Sequence, residues 1–378
     1  MPMKLLEAGF FLFLFLSLYS YGIYPLLLFL FAKIMRTNWK SGEIKPKISI
    51  IISAYNEEEV IQEKIKNTLE LEYPPEKLEI IISSDGSRDR TNQMVADVGD
   101  PRIVLRAFPE RAGKTACLNR VVPEAQGEIV VFTDANSMFP SDVLLKLVRN
   151  FSDKNVGLVT GWSKYVRKGG GEESTGIYSR FEMWTKHKEC LISSCVGADG
   201  AIFSIRKNLF RLLRDDDIND FVIPLQVIKQ DKRSIMDPGV YCFEEPSQGA
   251  SGEYHRQVRI STRTLGAIRR NIGFLNPFKY GSVSFFLISH KLMRFLVPFF
   301  LIGTFGVNLL LLGDSYFFLV TLAGQVLFFL IGVFSILEIF KGKLGGFIKF
   351  FLITITAQFI GWFRMLTGAT DTVWTSQR

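Results

Sequence analysis

Cysteine is scarce: Cys117, Cys190, Cys195 and Cys242 are the only four in 378 residues. Apart from a weak Cys190/Cys195 pair they lack metal-ligand spacing, which sets aside a disulfide framework or a zinc module and leaves free thiols as the expectation. No segment repeats at a fixed period, so solenoids and propellers are excluded. No low-complexity tract occurs outside the Phe/Leu-rich runs. The net charge of +8 comes without an RNA-binding signature, so no nucleic-acid partner is expected. Much of the excess lies beside apolar runs, where anionic headgroups and a phosphorylated substrate account for it.

What is abundant is apolar. Hydrophobic residues make up 48%, with 34 phenylalanines and a mean hydropathy of +0.19, a composition that places part of the chain in lipid. Residues 8–32 carry no formal charge and, at about 1.5 Å per helical residue, are long enough to cross a hydrocarbon core of roughly 30 Å. The segment is too long for a removable signal peptide and lacks the small-residue cleavage site. Three more spans are expected over about 285–312, 316–340 and 344–367, the first interrupted near its start by His290, Lys291 and Arg294. Lys33, Arg36 and Lys40 follow the first span, Arg263, Arg269 and Arg270 precede the second, and Lys341 and Lys343 follow the third. If four spans alternate, these clusters share one side, and the positive-inside rule predicts a cytoplasmic polar block in a multi-pass protein of the cell (inner) membrane.

Within that block, Ile48 to Ile52, Leu78 to Ser83, Arg102 to Leu105 and Ile129 to Thr133 read as strands buried on both faces, hence a parallel sheet. Each is followed by a polar loop, and most by a helical pattern. In this doubly wound α/β arrangement ligands bind beyond the carboxyl ends of the strands. Four loops therefore converge: Ala54 to Glu57, Asp85 to Asp89, Arg111 to Lys114, and Asp134 to Asn136. Each alone is ordinary. Asp85-Gly86-Ser87 reads equally as a plain turn, Gly113-Lys114 lacks P-loop spacing, and Asp134 to Asn136 reads equally as an Asx-type turn after a buried strand. Together they offer an aromatic ring and carboxylates for a nucleobase, a cation for phosphate, and oxygen ligands in Asp134 and Asn136 for a hard divalent cation. That combination describes a nucleoside-diphosphate site.

The successive motifs Ile51-Ile52-Ser53-Ala54-Tyr55-Asn56-Glu57, Ser84-Asp85-Gly86-Ser87, Gly113-Lys114 followed by Leu118-Asn119, and Thr133-Asp134-Ala135-Asn136 resemble those of family 2 glycosyltransferases with the GT-A fold. The resemblance runs from Lys47 to Ile260. It implies a Rossmann-like, mostly parallel sheet and a nucleotide-sugar donor, UDP-linked, with Ala54, Tyr55, Glu57, Asp85 and Lys114 around the uridine. It also implies a Mg²⁺ or Mn²⁺ ion on the diphosphate, held by Asp134 and, as a weaker neutral ligand, Asn136. Val196 to Arg206 resembles the acceptor-side glycine-rich segment, which gives Gly197, Asp199 and Gly200 to the acceptor, although a strand turn explains the glycines equally well. Asp220, followed by Phe221-Val222-Ile223-Pro224, matches the final Asp of the family's Glu-Asp motif and is expected to be the base. Its neighbours Asp215, Asp216 and Asp217 read as a solvated acidic helix start. Arg256-Gln257-Val258-Arg259-Ile260 stands where processive members carry Gln-x-x-Arg-Trp. Arg259 fits as a grip on the departing diphosphate, whereas Arg256 replaces the Gln and Ile260 the Trp.

The expected organisation is then 1–40 membrane helix and linker, 41–150 donor half, 151–260 acceptor half, 261–284 a basic amphipathic helix on the membrane surface, and 285–378 membrane helices with a short tail. The activity implied is an inverting, metal-dependent transfer to a polyprenyl-linked or growing polysaccharide acceptor, with room for a homo-oligomer or export-complex partners. Alternatives are a processive synthase that extrudes its polymer and a non-catalytic subunit of a glycan export system. A transporter is less well supported, since the spans hold few polar groups beyond Gln325, Glu338 and Gln358.

Overall fold

The four apolar runs do form neighbouring parallel strands. In the computed structural model, which describes residues 3–166, 177–245 and 249–369, they are β1 (Ile48–Ala54), β2 (Leu78–Asp85), β3 (Ile103–Phe108) and β4 (Ile129–Asp134). Three further strands, β5 (Val156–Tyr165), β6 (Phe203–Arg206) and β7 (Arg233–Glu244), complete a sheet of order β3-β2-β1-β4-β6-β5-β7. β6 runs antiparallel to β4 and β5, and the remaining pairs are parallel. β1 shows why these runs make a central strand. Ile48, Ile50, Ile51 and Ile52 are all 0% exposed, and burying each such side chain is worth about 1.5–3 kcal/mol. Register then fixes the working edge, with Ala54 opposite Ser84, Ser53 opposite Asp134 and Asp85 opposite Phe108.

The chain divides into two compact units, residues 28–246 and residues 1–27 with 247–370. The first holds the sheet. Among the described residues, four helices are long and apolar enough to cross a membrane: Met3–Ile34, Ser282–Leu310, Tyr316–Ile336 and Lys343–Thr367. The first and second are interrupted by π-helical turns at Tyr19–Ile23 and Leu287–Leu292. All four cysteines are free and buried.

Two expectations are corrected. The basic helix expected over 261–284 runs instead from Gly249 to Arg270, and the chain continues as a tighter turn at Ile272–Leu275. The boundary expected at 260 therefore falls inside it. Its residues Ser261 to Ile268 are buried, Arg263 included, because the helix packs along Lys343–Thr367 so closely that a methyl on Gly361 would lie 2.7 Å from the Ser261 Cβ. Arg269 and Arg270, at the end of the same helix, stay exposed. Likewise, Asp215 and Asp216 lie in a turn and the helix begins only at Asn219. Asp217 is buried, and its carboxylate accepts from the Arg214 N–H at 3.0 Å.

Candidate active site

The loops after β1, β2 and β4, with the loop that opens the helix Lys114–Glu124, are tied to one another in sequence. After β1, Asn56 takes a left-handed conformation (φ 52°). Its N–H donates to Ser87 Oγ at 3.1 Å, and its side-chain oxygen accepts from the Arg88 N–H at 2.9 Å. The N–H of buried Glu57 donates to Thr91 Oγ1 at 2.8 Å. After β2, Gly86 (φ +68°) passes so close to the next loop that a methyl there would sit 2.8 Å from the Arg111 nitrogen, which only glycine permits. Asp85, 7% exposed, accepts from the N–H groups of Ala112 at 2.7 Å and Gly113 at 2.9 Å, and from the Cys117 thiol at 3.3 Å. Burial first, and the Asp85 charge second, push that thiol up to about 12. The Arg111 guanidinium lies over the Tyr55 ring, 3.6 Å from its centroid.

Lys114 then reaches the last loop, its Nζ 2.5 Å from Asp134 Oδ1, with the two side chains 28% and 37% exposed. Asp134 ends β4, and Asn136 follows in the turn, partly exposed. A carboxylate and an amide oxygen at a strand end are hard donors that suit Mg²⁺ or Mn²⁺, and the Lys114 ammonium on Asp134 shows that this carboxylate accepts a cation. Among the described residues no three His, Cys, Asp or Glu side chains converge as a protein-only cage would require. An ion at Asp134 would take most of its ligands from a diphosphate and water, as Mg²⁺ commonly does.

The residues expected on the acceptor side lie around Gly200. Asp199 accepts from the Ser163 N–H and Oγ–H, each at 3.0 Å, and from the Ala201 N–H at 3.1 Å. Gly197 has φ 143°. A methyl on Gly200 would lie 3.0 Å from Asp220 Oδ2, so the glycine leaves room for that carboxylate. The Asp220 carbonyl accepts from Ala198 N–H at 2.7 Å, and Lys186 Nζ donates to the Ala198 carbonyl at 2.9 Å. Burial works against the Lys186 charge, but Glu182, Asp199 and Asp220 outweigh it and raise its pKa. Arg256 and Arg259 belong to the other unit, on the helix Gly249–Arg270, where Arg256 pairs with Glu253 at 3.1 Å.

Three residues of this neighbourhood escaped the sequence reading. Glu244, at the end of β7, accepts from Ser137 Oγ at 2.7 Å, and burial, then the charges of Asp199 and Asp134, push its carboxyl up to about 7. Lys64, on the helix Ile61–Leu69, is 0% exposed, and burial brings its ammonium down to about 7 against the pull of negative neighbours that include Asp134 and Glu244. The third is Lys186. Only Lys64 left a signal: it occupies the apolar stripe of its helix together with Ile61, Ile65 and Thr68, where a lysine is out of place.

Residues 49–212 match the family described as Glycosyl transferase family 2. This stretch is a family 2 glycosyltransferase domain. Over 167 residues the chain is 32% identical to a beta-monoglucosyldiacylglycerol synthase of Nostoc sp., covering 43% of this chain and 35% of that protein. Over 116 residues it is 33% identical to a poly-beta-1,6-N-acetyl-D-glucosamine synthase of Staphylococcus aureus, covering 30% and 28%. The match thus spans about a third of the curated relatives' length. A mannosyltransferase from Pyrobaculum calidifontis, in complex with GDP-Man and Mn²⁺, superposes with a TM-score of 0.71 at 22% identity, covering 96% of this chain and 99% of that one. The transferase domain therefore has the GT-A fold, and the homologues make glycolipids and polysaccharides.

Proposed function

We propose that the chain is a multi-pass membrane glycosyltransferase, its transferase domain cytoplasmic, that moves a sugar with inversion from a UDP-sugar to a lipid-linked or growing glycan acceptor. The observation that carries this reading is the placement of Asp134, bound to Lys114, and of Asp199 as common neighbours of Glu244, with Gly200 and Asp220 beside Asp199. That both charges act on Glu244 supports a reading in which the phosphate-side and acceptor-side groups serve one site. Tyr55 and Glu57 line the nucleobase pocket. Asp85 shapes it by holding Ala112 and Gly113, and Lys114 turns to the diphosphate once Asp134 is otherwise engaged. Asp134, assisted by Asn136, would hold Mg²⁺ or Mn²⁺, which when bound supplies positive charge against the leaving diphosphate. Asp220 takes the proton of the acceptor hydroxyl as its oxygen attacks the anomeric carbon from the face opposite the diphosphate, and Arg259 neutralises the departing phosphate.

The glycolipid-making relative supports a lipid-borne acceptor. The polysaccharide-making relative supports a second reading, processive extension, against which stand Arg256 and Ile260 in place of Gln and Trp. Mass analysis of products made in native membranes from individual UDP-sugars, with GDP-mannose as a control, tests both. One added sugar per acceptor is expected. A ladder would establish processivity, and transfer from GDP-mannose alone would overturn the UDP assignment.

A further inference from the structure

Lys64 is the one fully buried lysine in this domain's described residues, and the hydrogen-bond and ring partners of its ammonium belong to the segment that carries Asp134 and Asn136. Its Nζ donates to Thr133 Oγ1 at 3.2 Å, just before the turn, and to the Ser137 carbonyl, just after it. It also stands over the Phe139 ring, 3.9 Å from the centroid. On the far side of the same turn, Ser137 Oγ donates to Glu244 at 2.7 Å, and Met138 and Phe243 exchange backbone hydrogen bonds of 2.8 and 2.7 Å. The turn is therefore gripped at both ends, by the Lys64 ammonium on one side and by Glu244, at the end of β7, on the other. A buried ammonium is costly to keep, and an apolar side chain of similar volume usually serves stability as well or better. Stability alone gives no reason for a lysine here.

We propose that Lys64 and Glu244 are positioning residues that hold the Thr133-to-Ser137 turn so that Asp134 and Asn136 present their oxygens together to a divalent cation carried in with a nucleoside diphosphate. The inference rests on the metal reading above and adds the residues that build the site from beneath. Lys64 touches neither nucleotide nor ion. It acts through the turn, which is why its replacement separates geometry from fold.

The test is calorimetric titration of UDP, and of GDP if UDP does not bind, into the full-length protein in detergent, with Mn²⁺ present and with Mn²⁺ chelated, beside thermal melting. Lys64→Met is expected to reduce the Mn²⁺-dependent gain in affinity by about fivefold or more while metal-free binding holds and the melting temperature is unchanged or raised. Lys64→Met added to Asp134→Ala should cost nothing further, because both act on one element. Ser137→Ala, which cuts only the bond to Glu244, should give a smaller loss in the same direction and serves if Lys64→Met does not fold. A full Mn²⁺ gain in Lys64→Met, or in Ser137→Ala where Lys64→Met fails to fold, overturns the inference, as does a double variant whose losses simply add. Wild-type protein that binds both nucleotides equally with and without Mn²⁺ overturns the metal reading itself, and this inference with it.

Discussion

Along β1, β2 and β4 each polar group that enters the crevice follows its strand directly. Along β5 to β7 the corresponding groups come from a helix side (Lys186), a glycine-rich segment (Asp199, Gly200), a helix start (Asp220) and a strand end (Glu244). The two halves also hold their polar groups by different means. In the expected donor half, the loops after β1 and β2 are bound by neutral donors and backbone amides, as Asp85 is by Ala112 and Gly113, while the turn after β4 is held by Lys64 and Lys114. In the acceptor half, carboxylates crowd one another beside Lys186. Amide-bound loops can be rigid before ligand arrives, whereas burial, with the charges of Asp199 and Asp134, holds the Glu244 carboxyl near neutrality. The division suits a donor half that grips and an acceptor half that moves a proton.

The largest effect that tests this division comes from Asp220 and Asp134. Asp220→Asn is expected to retain nucleotide affinity while kcat falls by roughly two or more orders of magnitude, because a base matters during proton removal. Asp134→Ala should weaken nucleotide binding and turnover together, since its interaction exists in both ground and transition states. Calorimetry and transfer assays on both variants decide it. Near-normal transfer by Asp220→Asn would break the division and direct attention to Asp199 and Glu244.

How far each half could be read from the sequence follows from the same difference. Ile48 to Ile52 and Ile129 to Thr133 announce buried strands because all but Ser49 and Thr133 are apolar, and their loops announce chemistry because Asn56 or Asp134 comes within four residues. The strand ends differ from expectation by two residues or fewer for β1 and β2. β5 and β7 are mixed: Val156 to Thr160 is apolar, but Trp162, Lys164 and Tyr241 alternate with Ser163 and Cys242, so no single period declares a strand. Nothing in the spacing of Lys186, Asp199, Asp220 and Glu244 reveals that they meet, because their approach depends on β6 returning antiparallel between β4 and β5. The bounds of the helix before Arg270 are misread for a similar reason: its first turns, from Gly249, carry no apolar stripe, so the pattern announces the helix only from Ser261 on.

A smaller effect sharpens the acceptor half. Gly200→Ala would place a methyl 3.0 Å from Asp220 Oδ2, tight enough to displace that carboxylate by a few tenths of an ångström. A base moved that far should lose about threefold to thirtyfold in kcat, with nucleotide affinity intact if Gly200 serves the acceptor as proposed. Loss of nucleotide affinity in Gly200→Ala would show that the halves are not separable at this glycine.

The smallest effect concerns pH, and its sign follows from the two groups brought near neutrality. Glu244 is raised from 4.5 to about 7, so between those values the folded state holds a proton that the unfolded chain has released, and stability falls as pH rises. Lys64 is lowered from 10.5 to about 7. Between 7 and 10.5 the unfolded chain holds the extra proton, and stability rises with pH. Together the pair contributes a minimum near pH 7 to the stability of the ligand-free protein, the reverse of the usual maximum there. Glu244→Gln should flatten the acid side of that minimum and Lys64→Met the alkaline side, each read as the slope of melting temperature against pH in detergent without nucleotide. Slopes identical to wild type in both variants would mean that neither group changes its proton on unfolding, and that the contrast between an amide-bound donor half and a charge-crowded acceptor half does not extend to these two residues.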